Sequence, residues 1–481
     1  MYEVLVDSHR NENSLKTFFE PRSVAIIGAS RTPGKGGHNI VENLIKLGYG
    51  GKIYPINPRA KEILGLPVYP DLKHTPELPE LAIIILPPLL VLPAMEECAA
   101  RGIKAVIIES AGFAEMSEAG ARVEKEISQL ARQAGMRVMG PNSVGTLNPS
   151  MRFDASLGRL NKIFLPEAEI RPGTVGFIGQ TGLFTGVFLP ILNSELGISK
   201  IACLGNKCDV DESDLLDYLG DDTPTKIIAM YLESIKDGRR FIQLSRRIVK
   251  KKPIIILKSG ITELGARVSA THTASVAGKN AAYDAAFKQS GIIRAASFSQ
   301  LWDVTKAFVY LPLPKGNRLA IINLAGSGCV MAVDACVRNG LKIAELSPAT
   351  TAKIKTVYPD WWQVRSPIDV WTAVEASGFE TAYTAITRAA LEDDGVDAAL
   401  VITGAVNWIP GKEVPSLFKD IKKEFPDKPL LAANPLGDMK IYQQMCQGFQ
   451  SLGIPAYASA EDAIAALAAQ CRYQEYRHSS G

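Results

Sequence analysis

Short runs of aliphatic and β-branched residues recur along this chain, and each stops at glycine or at a small polar residue. Residues 23–28 read S-V-A-I-I-G and residues 174–179 read T-V-G-F-I-G. A run of this kind, followed by a glycine-rich loop and a helical pattern, marks a strand buried on both faces of a parallel sheet. The pattern returns at 52–56, 81–86, 105–109 and 137–139, then at 201–204, 226–232 and 253–257, and again at 318–324, 398–402 and 429–433. Two stretches interrupt it. Residues 151–171 lose periodicity and carry Pro166, and 311–316 read L-P-L-P-K-G; both are expected to be linkers. Residues 1–20 are expected to form a lead-in helix, and 461–473 a terminal one. The length, 481 residues, suits about three domains at ~150 residues each. The expectation is an α/β chain of three parallel-sheet units, at 1–150, 170–310 and 316–475.

Strand, glycine loop and helix place an anion at a helix N-terminus. After the first strand come Gly28, Ala29, Ser30, Arg31, Thr32, Pro33, Gly34 and Lys35, with a helix opening near Asn39. The G-x-G-x-x-G dinucleotide fingerprint is missing, and the second strand ends in Asn57-Pro58 where NAD binding calls for an acid. Arg31, Lys35, Arg59 and Lys61 surround the loop instead. These cations are either solvated surface charge or a rim for a ligand with extra phosphates, such as the 3′-phospho-ADP end of coenzyme A. Pro87, the Ser110 loop and residues 140–145 follow neighbouring strand ends and should share one crevice.

Only five histidines occur, at 9, 38, 74, 272 and 478. His272 stands in A-T-H-T-A-S-V-A-G-K, among hydroxyls and glycine, downstream of a strand end. An imidazole nitrogen can accept and return a phosphoryl group near neutral pH; the bland alternative is a loop histidine with a local hydrogen bond. Thr181, Asn206 and Glu233 follow strand ends in the same unit. Thr181 and the amides after it can cradle phosphate. Glu233 either orients the imidazole or serves a helix N-terminus.

Composition excludes several classes. A net charge of +3 gives no drive toward nucleic acid, and no apolar run is long enough to span a bilayer. The seven cysteines show neither zinc spacing nor a disulfide framework, and the N-terminus has no signal-peptide core, so a cytoplasmic location is expected. Trp361, Trp362 and Trp371 are expected in core or interface rather than around a ligand.

With those residues assembled, the chain resembles the α subunit of the ADP-forming (NDP-forming) acyl-CoA synthetases, relatives of succinyl-CoA synthetase. The resemblance spans about residues 15–470. It rests on G-A-S at 28–30, P-G-K at 33–35, Y-P-I-N-P at 54–58, S-A-G-F at 110–113, G-P-N at 140–142, Q-T-G at 180–182, Glu233 and T-H-T-A-S-V-A-G at 271–278. P-K-G-N-R-L-A-I-I from 314 and A-E-L-S-P-A-T at 344–350 extend it to the third unit. It implies a Rossmann-like CoA-binding domain followed by two flavodoxin-like domains. It also implies interconversion of acyl-CoA, ADP and phosphate with carboxylic acid, CoA and ATP, through an acyl phosphate and a phosphohistidine at His272.

The residues expected to act follow from this. His272 and Glu233 are catalytic. Gln180, Thr181, Gly182, Asn142 and Ser143 bind phosphate. Gly28, Ala29, Ser30, Arg31, Pro33, Lys35, Asn57, Arg59, Pro87 and Ser110 bind CoA. No metal site is expected in the chain. Nothing in it resembles an ATP-grasp domain, so ADP or ATP with Mg2+ is expected on a separate ATP-grasp β subunit, in an α2β2 assembly. Three departures bear on the acyl group: Ala274 where the family commonly has glycine, A-G-S-G-C at 325–329, and S-P-I-D at 366–369. The alternative reading is a non-catalytic CoA-binding regulatory protein of the same fold.

Overall fold

The computed structural model describes residues 13–158, 171–182, 196–265, 267–268, 280–406, 413–434 and 437–479. The chain forms two compact units, Met1–Arg294 and Ala295–Gly481.

The first unit contains a five-stranded parallel sheet: β1 (Ser23–Ile27), β2 (Lys52–Ile56), β3 (Leu81–Ile84), β4 (Ala105–Ile108) and β5 (Arg137–Met139), in the order β2-β1-β3-β4-β5. β1, β3, β4 and β5 are buried along their whole lengths, which is why they read as unbroken apolar runs. Strand order reverses between β1 and β3, so the loops after these two parallel strands flank the crevice where open sheets bind ligands.

Its second sheet has β6 (Thr146–Asn148), β7 (Phe153–Asp154), β8 (Pro172–Gly179), β9 (Ile198–Cys203), β10 (Ile227–Leu232), β11 (Ile254–Lys258) and β12 (Ile293–Ala295), in the order β12-β11-β10-β8-β9-β6-β7. β8, β9, β10 and β11 are parallel, as expected. β6 and β7 are antiparallel additions, and β7 corrects the expected linker at 153–154, the β-strand residues it contributes within 151–171. Their residues are buried, with Phe153 and Asp154 fully inaccessible. Strands of two or three residues are too short to carry a readable alternation. Residues 159–170 lie outside the described set.

Buried charge joins the two sheets. Arg137 on β5 donates from Nε to Asp209 at 2.9 Å and from Nη2 to Asp214 at 2.6 Å. The lead-in helix is a single described turn, Asn13–Lys16, rather than one reaching residue 20. Phe18 and Phe19 beyond it are fully buried, which anchors this segment by packing.

The second unit has a parallel sheet of β13 (Arg318–Asn323), β14 (Lys342–Ile343), β15 (Ile368–Asp369), β16 (Ala398–Ile402), β17 (Leu430–Ala433) and β18 (Ala456–Tyr457). Its main path is β14-β13-β16-β17-β18, with β15 paired to β13. One core cluster includes Ala320, Ile322, Tyr383, Ile386, Val401 and Phe418. The tryptophans divide. Trp362 packs on this core, whereas Trp361 is 73 % and Trp371 46 % exposed, so the core reading fails for those two.

Candidate functional site

The first half of the site is the loop leaving β1. Gly28 has φ +101°, and a Cβ there would stand 2.1 Å from the Ile85 carbonyl oxygen, so only glycine fits. The helix Gly36–Leu47 opens three residues before Asn39, because Gly37 lets it seat against the strand end; a Cβ on Gly37 would meet the Gly28 oxygen at 2.2 Å. Asn57 Nδ2 donates to the Ala29 oxygen at 2.7 Å, and Asn57 Oδ1 accepts from Arg59 N at 2.8 Å. Asn57 therefore ties the β2 turn to the β1 loop. His38 Nδ1 lies 2.9 Å from the Ser30 oxygen, bracing the same loop. Arg31, Pro33, Lys35 and Arg59 are exposed at its rim.

The neighbouring loops converge as expected. Ser110 Oγ accepts from Leu86 N at 2.9 Å, beside exposed Pro87, and the Ser110 oxygen accepts from Asn142 N at 2.9 Å. Ser143 has a different task from the one expected. Its hydroxyl, 1 % exposed, donates to the Cys203 oxygen at 2.6 Å and accepts from Gly145 N, so it struts one sheet against the other.

In the second half, the ends of β8, β9 and β10 lie side by side and carry Thr181, Asn206 and Glu233. Gln180, 2 % exposed, bridges two of them. Its Oε1 accepts from Glu233 N at 3.1 Å, Ser234 N at 3.2 Å and Lys207 Nζ at 3.2 Å, while its Nε2 donates to Ser234 Oγ at 3.3 Å. The Gln180 side chain thus holds the site together from beneath. Thr181 and Gly182 are more accessible. Glu233 is 6 % exposed, with Tyr231 Oη 3.4 Å from its Oε1. The helix that follows, Gly238–Val249, is capped by Asp237, which accepts from Arg239 N and Arg240 N. His272 and its loop lie outside the described residues.

Sequence reasoning did not give roles to three residues that shape this region. Lys258 Nζ donates to the Glu233 carbonyl oxygen at 2.6 Å and lies 4.7 Å from the Tyr283 ring centroid. Burial, with Arg294 nearby, pushes its amine down to about 8. Lys207 is 3 % exposed and reaches Glu212 Oε2 at 2.9 Å. Glu115 Oε2 accepts from Asn206 Nδ2 at 2.6 Å and Glu124 Oε2 does so at 2.9 Å, which occupies both amide hydrogens of Asn206. Burial works to raise the Glu115 carboxyl, but donors from Asn206 and the Gly112 amide outweigh it and leave it lowered. The only hint in the sequence was that these residues follow strand ends; which acceptors a lysine reaches is decided by tertiary packing.

Three family models match the chain: a CoA binding domain over 22–149, a succinyl-CoA ligase like flavodoxin domain over 172–308, and a ligase-CoA domain over 319–480. Fold and models together define a protein of the succinyl-CoA-ligase class. The Archaeoglobus fulgidus acetate–CoA ligase (ADP-forming) II is 41 % identical over 466 residues, an alignment covering 96 % of this chain and 67 % of that longer protein. The Pyrococcus furiosus acetate–CoA ligase (ADP-forming) II subunit alpha is 37 % identical, with 94 % and 96 % covered. A solved structure of the dinucleotide-forming acetyl-coenzyme A synthetase 1 of Ca. Korarchaeum cryptofilum, in complex with phosphate and ADP, superposes with a TM-score of 0.87 at 34 % identity, over 96 % of this chain and 97 % of that one. The chain belongs to the ADP-forming acetate–CoA ligase family.

Proposed function

We propose that this chain is the α component of an ADP-forming acyl-CoA synthetase, with 1–150 binding CoA and 170–310 carrying the phosphoryl-transfer site. A phosphate oxygen attacks the thioester carbonyl. The C–S bond breaks, CoA leaves with a proton, and an acyl phosphate remains. The His272 imidazole then attacks phosphorus, the carboxylate departs, and the phosphoryl group rests on nitrogen. Its transfer to the terminal phosphate of ADP gives ATP and restores the imidazole. Thr181 and Gly182 hold the phosphate, and Glu233 keeps His272 in its nucleophilic tautomer.

The observation that carries this reading is the Gln180 bridge. It fixes Glu233 and the Thr181–Gly182 turn on adjacent strand ends, the geometry that a phosphate cradle beside a supporting carboxylate requires. Arg31, Lys35 and Arg59 supply cations for the CoA phosphates around the Gly28–Ser30 loop. Among the described residues no group of three or more His, Cys, Asp or Glu could hold a metal. We assign Mg2+ and ADP or ATP to an ATP-grasp β subunit in an α2β2 assembly. Support comes from the name of the Pyrococcus relative, a subunit alpha that this chain matches over 96 % of its length.

Incubation with acetyl-CoA and radiolabelled phosphate tests the reading. One acid-labile, base-stable label per chain is expected. His272→Ala should abolish it while leaving CoA affinity within about twofold, because the CoA loops are built by the other sheet. Full labelling of His272→Ala would overturn the assignment.

A further inference from the structure

The turn Gly205–Asn206–Lys207 lies between the two halves of the site and is fastened to both. On the side of the first sheet, Asn206 N donates to the Pro141 oxygen at 2.8 Å and Cys208 N to the Gly140 oxygen at 2.9 Å. Asn206 Nδ2 adds Glu115 Oε2 at 2.6 Å and Glu124 Oε2 at 2.9 Å, and Glu115 Oε1 accepts from Gly112 N at 2.6 Å. The turn thereby holds the Ser110–Phe113 loop of the CoA crevice.

On the other side stands the Lys207 ammonium. It donates to Gln180 Oε1 at 3.2 Å, Glu212 Oε2 at 2.9 Å, the Ser234 oxygen at 3.0 Å and Ser234 Oγ at 2.9 Å. Lys207 itself adopts φ +66°, a conformation that a non-glycine residue takes only under constraint. Gly205 beneath it is equally constrained, since a Cβ there would stand 2.1 Å from the Pro141 oxygen. An exposed lysine could meet its hydrogen-bonding needs in water. This one is taken out of water to bind the ends of β8 and β10.

We infer that Lys207 is a positioning residue of the phosphoryl-transfer site. Its four contacts set the spacing between the Thr181–Gly182 cradle and Glu233, and its neighbour Asn206 locks that pair to the CoA crevice. The inference rests on the reaction proposed above, in which phosphate must meet a thioester delivered from the other sheet. Glu212, fully buried at the start of the helix Glu212–Asp221, supplies the counter-charge that lets an ammonium stay there. Lys236 N donates to the other Glu212 oxygen at 2.6 Å, so the carboxylate is held on both sides.

The test compares Lys207→Met, Lys207→Arg, the pair Lys207→Met with Glu212→Gln, and Lys252→Met. The double variant guards against unfolding from an unpaired Glu212. Lys252 is a control for burial alone, since its Nζ donates to the Leu219 and Asp222 oxygens elsewhere in the same unit. Two readouts are taken: stabilisation of the chain by inorganic phosphate, and the rate of labelling with acetyl-CoA and phosphate. Loss of Lys207 in the single and double variants should weaken phosphate binding at least tenfold and raise the phosphate KM of labelling, with CoA affinity within twofold. Lys207→Arg should recover part of this loss, and Lys252→Met should lower Tm without changing phosphate affinity. Wild-type phosphate affinity in the double variant, or an equal loss in Lys252→Met, would overturn the inference. An unlabelled wild type that still binds phosphate in a Lys207-dependent way would sink the proposed reaction and leave the positioning role standing.

Discussion

Among the described residues, Glu109 and Asp154 are two carboxylates that burial makes costly to keep charged. Both are buried, and among the described residues neither Glu109 oxygen nor Asp154 Oδ2 has a hydrogen-bond partner. Burial pushes the Asp154 carboxyl up to about 7. Burial, and secondarily Asp154 itself, raises Glu109 well above the usual carboxylate range. The native state therefore binds more protons than the unfolded chain, whose aspartates titrate near ~3.9. The contribution from Asp154 is complete below that value and is lost as pH rises through about 7. Thermal melts of Asp154→Asn from pH 5 to 8 should show a flatter fall in Tm than wild type. At pH 8 the variant should melt higher, by ~2–4 °C for each kcal/mol of relieved charge burial. Parallel profiles for variant and wild type would show that the pair does not titrate in this window.

Individual elements show how far the residue pattern can be read. The longer strands of the three sheets were legible because burial on both faces leaves an unmistakable apolar run, whereas the two- and three-residue strands β12, β14, β15 and β18 were not. The glycine loop between β1 and the helix Gly36–Leu47 was legible because a strand–glycine–helix turn is a local pattern. The β6–β7 hairpin was not, and neither was the division of labour between Gln180, Ser143 and Lys207. Those roles depend on which strand ends become neighbours, and a side-chain type does not reveal whether it faces a ligand or a carbonyl from another loop. Helix seating gives a direct test at this scale. Gly37→Ala would drive a methyl into the Gly28 carbonyl and Ala29 Cα, at 2.2 and 3.0 Å, whereas a Cβ on Gly50 meets nothing within 4 Å. Overpacking of this kind typically costs about 1–3 kcal/mol. Gly37→Ala should lower Tm and weaken CoA binding at least tenfold by calorimetry, with Gly50→Ala close to wild type in both. Unimpaired CoA binding by Gly37→Ala would mean that the helix seat does not shape the CoA loop.

At the scale of the whole molecule, chemistry and nucleotide are proposed to sit on different polypeptides. On that proposal phosphate, thioester and His272 belong to this chain, and the steps as far as the phosphoimidazole need only what it carries. The same proposal assigns transfer to ADP to the ATP-grasp component. The 67 % coverage of the longer Archaeoglobus relative, beside 96 % coverage of the Pyrococcus subunit alpha, shows that chains of different length occur in the family. The chain alone, given acetyl-CoA, phosphate, ADP and Mg2+, should therefore stop at one phosphoryl group per molecule and release no ATP. Adding the ATP-grasp β subunit should discharge the label onto ADP and restore repeated turnover. Light scattering of the mixture should report the mass of an α2β2 complex, distinct from that of either component. His272→Ala should still enter the complex but yield no ATP. Steady formation of ATP by this chain without a partner would place the nucleotide site within the 481 residues and overturn the division of labour.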